Sequence, residues 1–206
     1  MHANRKNSAT STGWRILLAL LVLALQGCAG SNFVRPLPGS IIVGKTTQQE
    51  VEQQLGKPYQ TGTVLKDGKS LQTATYAFAK VGGEALHAGI TPARSQGFYF
   101  MNGLLVGSEF TSSFKADGTE FDDTKVALIE KGKSTRQDIE TLFGPPGGEY
   151  LPPLTTDGAD RAWVYLCSQA KGSAFNLRVL NKSLVVSFDA SGLVTDVKFT
   201  SQGNRD

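Results

Sequence analysis

Gly44-Lys45-Thr46-Thr47-Gln48-Gln49-Glu50-Val51-Glu52-Gln53-Gln54-Leu55-Gly56-Lys57-Pro58 decides how this chain is read. It returns without a gap, 88 positions later, as Gly132-Lys133-Ser134-Thr135-Arg136-Gln137-Asp138-Ile139-Glu140-Thr141-Leu142-Phe143-Gly144-Pro145-Pro146. Gly, Lys, Thr, Gln, Gly and Pro recur unchanged, and the acidic, β-branched and large apolar positions match in type. Self-similarity at a fixed offset predicts two copies of one structural unit. Each copy reads as a short helix with marked ends. Thr47 and Thr135 are N-cap residues, and Glu50 and Asp138, three positions on, complete a capping box. Val51 with Leu55, and Ile139 with Phe143, form an apolar stripe at i and i+4. Gly56 and Gly144 suit a left-handed residue after the last turn, and Pro58 and Pro146 forbid continuation.

A helix of this length does not persist alone, so it must dock on something. Strands predicted at 71–80, 97–101 and 104–114 follow the first helix, the last two joined by the hairpin signal Asn102-Gly103. Strands at 162–168, 177–188 (interrupted near Asn181-Lys182) and 193–200 follow the second, with Ala190-Ser191-Gly192 as the turn. The expected fold is α+β: two units, each a helix packed on a three-stranded antiparallel sheet. Residues 79–96, with Gly82-Gly83 and His87, read as a loop insertion in the first copy.

Upstream, residues 1–15 carry only positive charge and residues 16–25 form a ten-residue apolar run. Ten helical residues rise about 15 Å, half the hydrocarbon thickness of a bilayer, so the run reads as a secretory signal peptide. Leu25-Gln26-Gly27-Cys28 resembles the bacterial lipobox. That resemblance implies cleavage between Gly27 and Cys28, a diacylglyceryl thioether on the Cys28 sulfur and acylation of the new amine, palmitate being the label to follow. Ala29 after the cysteine, where an aspartate marks inner-membrane retention, points to the outer membrane facing the periplasm. The expected organisation is a lipoprotein signal peptide at 1–27, a lipidated tether at 28–40 rich in small residues and proline, a first unit at 41–120 and a second at 121–206.

The 206 residues carry 21 basic and 18 acidic side chains. Arg5, Lys6 and Arg15 lie in the leader, so the remaining chain is balanced and gives no electrostatic footprint for nucleic acid.

Val43-Gly44-Lys45-Thr46-Thr47, Val51, Leu55-Gly56 and Pro58, then Ala162-Trp163-Val164-Tyr165 and the run from Leu184 to Thr195, resemble the SmpA/OmlA (BamE) lipoproteins, the second copy more closely. The resemblance implies an outer-membrane lipoprotein, not an enzyme, that supports envelope or β-barrel assembly by binding other envelope proteins. Tandem units of similar fold occur in β-lactamase-inhibitory proteins, so the alternative it implies is a lipid-tethered inhibitor of a periplasmic enzyme.

Other motifs are weighed and set aside. Gly39-Ser40-Ile41-Ile42-Val43-Gly44-Lys45-Thr46 has P-loop spacing, but its β-branched centre prefers extended backbone, so no nucleotide is expected. His87, the one histidine beyond the leader, has no orienting acid near it in sequence and reads as a loop residue. Asp117, Glu120, Asp122 and Asp123 could loosely hold Ca²⁺ but suit a solvated linker, and no His or Cys pair stands at ligand spacing. No metal or cofactor is expected. Cys167 alternates with Trp163 and Tyr165 and reads as a buried small apolar side chain. Candidate partner contacts, chosen by residue type, are Tyr99, Phe114, Tyr150 and Arg161.

Overall fold

A computed structural model of the chain describes residues 30–156, 158–172 and 176–203. The expected signal peptide at 1–27 and the expected lipidation site Cys28 lie outside the described residues. No helix among those described is long and apolar enough to cross a membrane.

The two short helices form where the capping signals place them. Helix α1 spans Gln48–Leu55 and helix α2 Arg136–Phe143, each with a complete capping box at Thr47/Glu50 and Thr135/Asp138. Gly56 and Gly144 close them with φ of 77° and 76°, but with ψ near −165°. This is not the left-handed helical conformation expected but the extended positive-φ region open almost only to glycine, and it turns the chain sharply toward the sheet.

The sheet differs most from expectation. Instead of two three-stranded sheets, the described residues form one antiparallel sheet of nine strands: β1 Gln60–Lys66, β2 Lys69–Ala79, β3 Ile90–Thr91, β4 Ala93–Met101, β5 Leu104–Ser112, β6 Gly148–Tyr150, β7 Arg161–Lys171, β8 Arg178–Phe188 and β9 Val194–Gln202. The order across it is β1-β2-β4-β5-β6-β7-β8-β9, with β3 pairing the far end of β7. Short strand β6 pairs with β5 through Gly107 and Ser108 and with β7 through Gly148–Tyr150, so it joins the halves. The 79–96 insertion shrinks accordingly: residues 93–96 belong to β4, and Ile90 and Thr91 pair with Lys171 and Ala170. Strand β8 runs unbroken through Asn181 and Lys182, both of which are paired on each side.

Cross-strand partners place both helices on one face. Ala74, Phe98, Ser108, Glu149, Trp163, Val186 and Val197 lie opposite one another in successive strands and so point to the same side. The first of these belong to a core with Val51 of α1, Tyr76, Phe100 and Leu105. The last belong to a second core with Ile139 of α2, Tyr165, Leu184 and Phe188. The chain 30–40 is no loose tether: Phe33 is buried in the first core, and the Arg35 guanidinium lies 4.4 Å from the Phe110 ring centre.

Equivalent bonds recur in the two halves. Leu105 N–H donates to Thr46 O and Val194 N–H to Ser134 O, both at 2.9 Å. Tyr76 Oη donates to Gly56 O at 2.8 Å and Tyr165 Oη to Gly144 O at 3.0 Å, each meeting a carbonyl left open by the helix end. The pairing of Gln60 with Thr75 matches that of Gly148 with Val164, and Ala74 with Phe98 matches Trp163 with Val186.

The capping carboxylates carry a pH dependence. Glu50 and Asp138 are held below their ordinary values of 4.5 and 3.8 by hydrogen bonds from the threonine backbone and hydroxyl. A carboxyl depressed in the folded state stabilises above its unfolded value and loses that contribution as pH falls through the folded one. The melting temperature should therefore hold from pH 7 to 5 and fall below about pH 4. A Thr47→Ala/Thr135→Ala double variant, melted over the same range, should show a lower plateau and a shallower acid fall.

Candidate interaction surface

The face away from the helices carries Thr73, Tyr99, Gly107, Tyr150, Ala162, Ser187 and Asp196 in register. At its centre two of the four candidate contact residues meet. Tyr99 and Tyr150 come from strands β4 and β6, with ring centres 5.9 Å apart at 87°. Both hydroxyls donate to one carboxylate, Glu109 on β5: Tyr99 Oη to Oε1 at 2.9 Å, and Tyr150 Oη to Oε2. Space for that carboxylate comes from Gly97, where a Cβ would stand 3.0 Å from Glu109 Cγ. Burial first, and the Glu109 charge second, push both phenols well above their ordinary value of 10. They remain neutral donors locked to an acceptor, a rigid aromatic and polar patch.

The other two candidates lie elsewhere. Phe114, just past β5, stacks on Phe78 at 5.9 Å, with the Arg94 guanidinium 5.1 Å from its ring centre. Arg161 pairs with Glu149 on the helix side. Glu149 lines a cleft of about 330 Å³ between the halves, together with Pro36, Leu37, Pro146 and Trp163.

The set-aside motifs take these places. In the stretch with P-loop spacing, Gly44 N–H donates to Leu105 O at 2.8 Å, Lys45 and Thr46 N–H donate to Ile42 O, and Ile42 N–H donates to Thr46 Oγ1. Those amides are engaged inside the fold and do not converge on a phosphate. His87 lies in a loop, as the sequence reading expects, and has an acid beside it in space though none near it in sequence. Glu120, 33 residues on, bonds its Nε2, and Gln169 donates to the same carboxylate at 3.4 Å. The adjoining cleft of about 130 Å³, bounded by Ile90, Lys171 and Leu180, has no hydroxyl or thiol among its described lining residues.

The acidic cluster is dispersed. Asp117 pairs with Arg94 at 2.9 Å, Asp122 caps the 3-10 turn Asp123–Leu128, and Asp123 pairs with Lys182. Among the described residues no group of three or more His, Cys, Asp or Glu side chains could hold a metal ion. Cys167 is buried in the second core, and burial raises its thiol pKa.

Four of the five tyrosines, at 76, 99, 150 and 165, are raised by burial, Tyr76 to about 12. A phenol raised in the folded state stabilises below its unfolded value and loses that contribution as pH climbs through the folded one. Spectrophotometric titration should therefore show most tyrosinate appearing only as the chain unfolds above about pH 10. Glu109→Gln removes the charge above Tyr99 and Tyr150 and should bring part of that absorbance to lower pH.

Residues 118–198 match the family model described as the outer membrane protein assembly factor BamE domain. The span takes in the 3-10 turn, α2, β6, β7, β8 and β9 up to Lys198, and falls on the half that the sequence places nearer to that family. No curated protein and no solved structure matches the chain.

Proposed function

We propose that this chain is a lipoprotein of the outer membrane, anchored through Cys28 and facing the periplasm, whose body binds other envelope proteins during outer-membrane assembly and breaks no bonds. The observation that carries this is the BamE-domain match over residues 118–198, with the lipobox-like Leu25-Gln26-Gly27-Cys28 in support. The body is two tandem helix-on-sheet units, 41–120 and 121–206. In support stand the gapless recurrence of Gly44–Pro58 at Gly132–Pro146 and the matching helix caps and ladder registers.

A second reading, a lipid-tethered inhibitor of a periplasmic enzyme, draws on the helix-free sheet face with its Tyr99–Glu109–Tyr150 patch. Crosslinking in cells followed by recovery of the solubilised protein separates them. The first reading expects barrel-assembly proteins enriched over a Cys28→Ala control, and the second expects a hydrolase. Neither class above control would reject both. Radiolabelled palmitate should enter the wild type and not Cys28→Ala; equal labelling would reject the anchor.

A further inference from the structure

From the way the chain enters the fold, we infer that the end of the sheet around Gly30 lies directly on the lipid bilayer, with Tyr59, Lys80 and Val81 against the headgroups. This rests on acylation of Cys28, the reading proposed above.

The entry point is fixed by the fold. Gly30 pairs with Phe78 at the edge of β2, just beyond the point where β1 begins opposite Thr75. Its φ is +67°, and a Cβ there would stand 1.9 Å from Ala77 O, so only glycine makes this approach. Downstream, Asn32 Oδ1 accepts from Arg94 at 2.7 Å, Phe33 is 5% exposed, and Ser40 O accepts from Gln54 at 3.2 Å. The stretch that composition marks as a tether has therefore no slack from Gly30 onward.

Ala29 alone separates Gly30 from Cys28. Two residues of fully extended chain reach at most about 7 Å. Acyl chains on Cys28 must then leave the protein within that distance of the β2 edge. A body so closely held cannot hang away from the bilayer, and the surface beside its anchor must meet headgroups and water together.

That surface has suitable chemistry. Tyr59 lines a cleft of about 250 Å³ with Gly30 and is 55% exposed. Val81, three residues past Phe78, is 92% exposed, and Lys80 beside it is exposed. An amphipathic ring, a bare aliphatic side chain and a cation on a long stem are groups that settle at a membrane interface. On a lipid surface the Tyr59 ring and the Val81 side chain lose contact with water, which favours the docked arrangement.

The test uses the acylated full-length protein, made in bacteria with Cys167→Ala and bound to vesicles of phosphatidylethanolamine with a minority of phosphatidylglycerol. A small fluorophore is placed on Val81→Cys or on Lys69→Cys. Lys69 begins β2 and lies about 33 Å along the strand from Ala79, the last residue of β2 before Lys80 and Val81. With headgroup spin-labelled lipid as quencher, quenching at position 81 should exceed that at position 69 several-fold. A flexible Gly/Ser insert between Ala29 and Gly30 should keep the protein on the vesicle and abolish the difference. Equal quenching at 81 and 69, with acyl groups on Cys28 found by mass spectrometry, would overturn the docking and leave the anchor standing. Absence of those acyl groups would overturn the anchor, and this inference with it. Quenching at 81 that survives the insert would overturn the short tether as its cause.

Discussion

Ile139→Asp is expected to lower the unfolding free energy by about 4 kcal/mol. Ile139 is fully buried, and it is the one buried residue of α2. It meets the sheet among Phe121, Tyr165, Leu184, Val186 and Phe188. Deleting an aliphatic side chain from such a site costs about 2–5 kcal/mol on its own. The new carboxyl adds the cost of an unpaired polar group in an apolar pocket, reduced to the extent that it takes up a proton or drags the helix outward. Against a typical total of about 5–15 kcal/mol that is a large share. Ile139→Val should cost only about 1 kcal/mol, and Glu140→Gln on the exposed face less than about 0.5 kcal/mol. Urea unfolding followed by the fluorescence of Trp163, which packs on Phe188 at 5.2 Å, reads all three. Val51, fully buried in the first core, should respond in the same way to aspartate. An unchanged midpoint for either aspartate variant would mean that its helix is not held by this residue.

Local order was legible in the sequence, and long-range order was not. The helices announce themselves because every signal acts within four residues: Thr47 to Glu50, Val51 to Leu55, then Gly56 and Pro58. The strands with one buried face also announce themselves, as Tyr76 and Phe78 do in β2. Strand β1 escaped because nearly all of it is exposed, so no alternation marks it; the turn at Asp67-Gly68 was the available signal. Strands β3 and β6 have two and three residues and exist through partners far along the chain. Phe33 was one apolar residue among prolines and glycines, and only its burial shows that 30–40 is packed. The same logic governs the surface patch. Tyr99 and Tyr150 were picked by type, but Glu109 was missed because nothing local links it to them; strand register alone brings the three together. Glu120 escaped as the partner of His87 for the same reason.

The continuity of the sheet sets up the other large effect. Gly148→Ala is expected to cost about 3 kcal/mol, and valine there more. Gly148 sits in the strand that joins β5 to β7, where a Cβ would stand 2.1 Å from Ser108 O and 2.7 Å from Glu109 Cα. Those are backbone atoms of a paired strand, so relief requires the two halves to part, not a rotamer change. Gly147 is nearly as tight, 2.9 Å from Phe110 O, and Gly107 has Leu154 Cδ1 at 2.3 Å from its own Cβ position. The corresponding position in the first half is Gln60, at the exposed start of edge strand β1. Gln60→Ala should therefore change stability by less than about 0.5 kcal/mol, which makes it the control. Hydrogen exchange locates the damage. The Phe110 amide, which donates to Gly147 O at 3.0 Å, and the Leu151 amide, which donates to Val106 O at 2.8 Å, should lose protection in Gly148→Ala. Amides in the β7–β8 ladder around Val186 should keep theirs, because that ladder is complete without β6. A Gly148→Ala protein with unaltered melting and unaltered exchange at 110 and 151 would mean that the halves are not joined through this strand. The single sheet would then give way to two that merely touch.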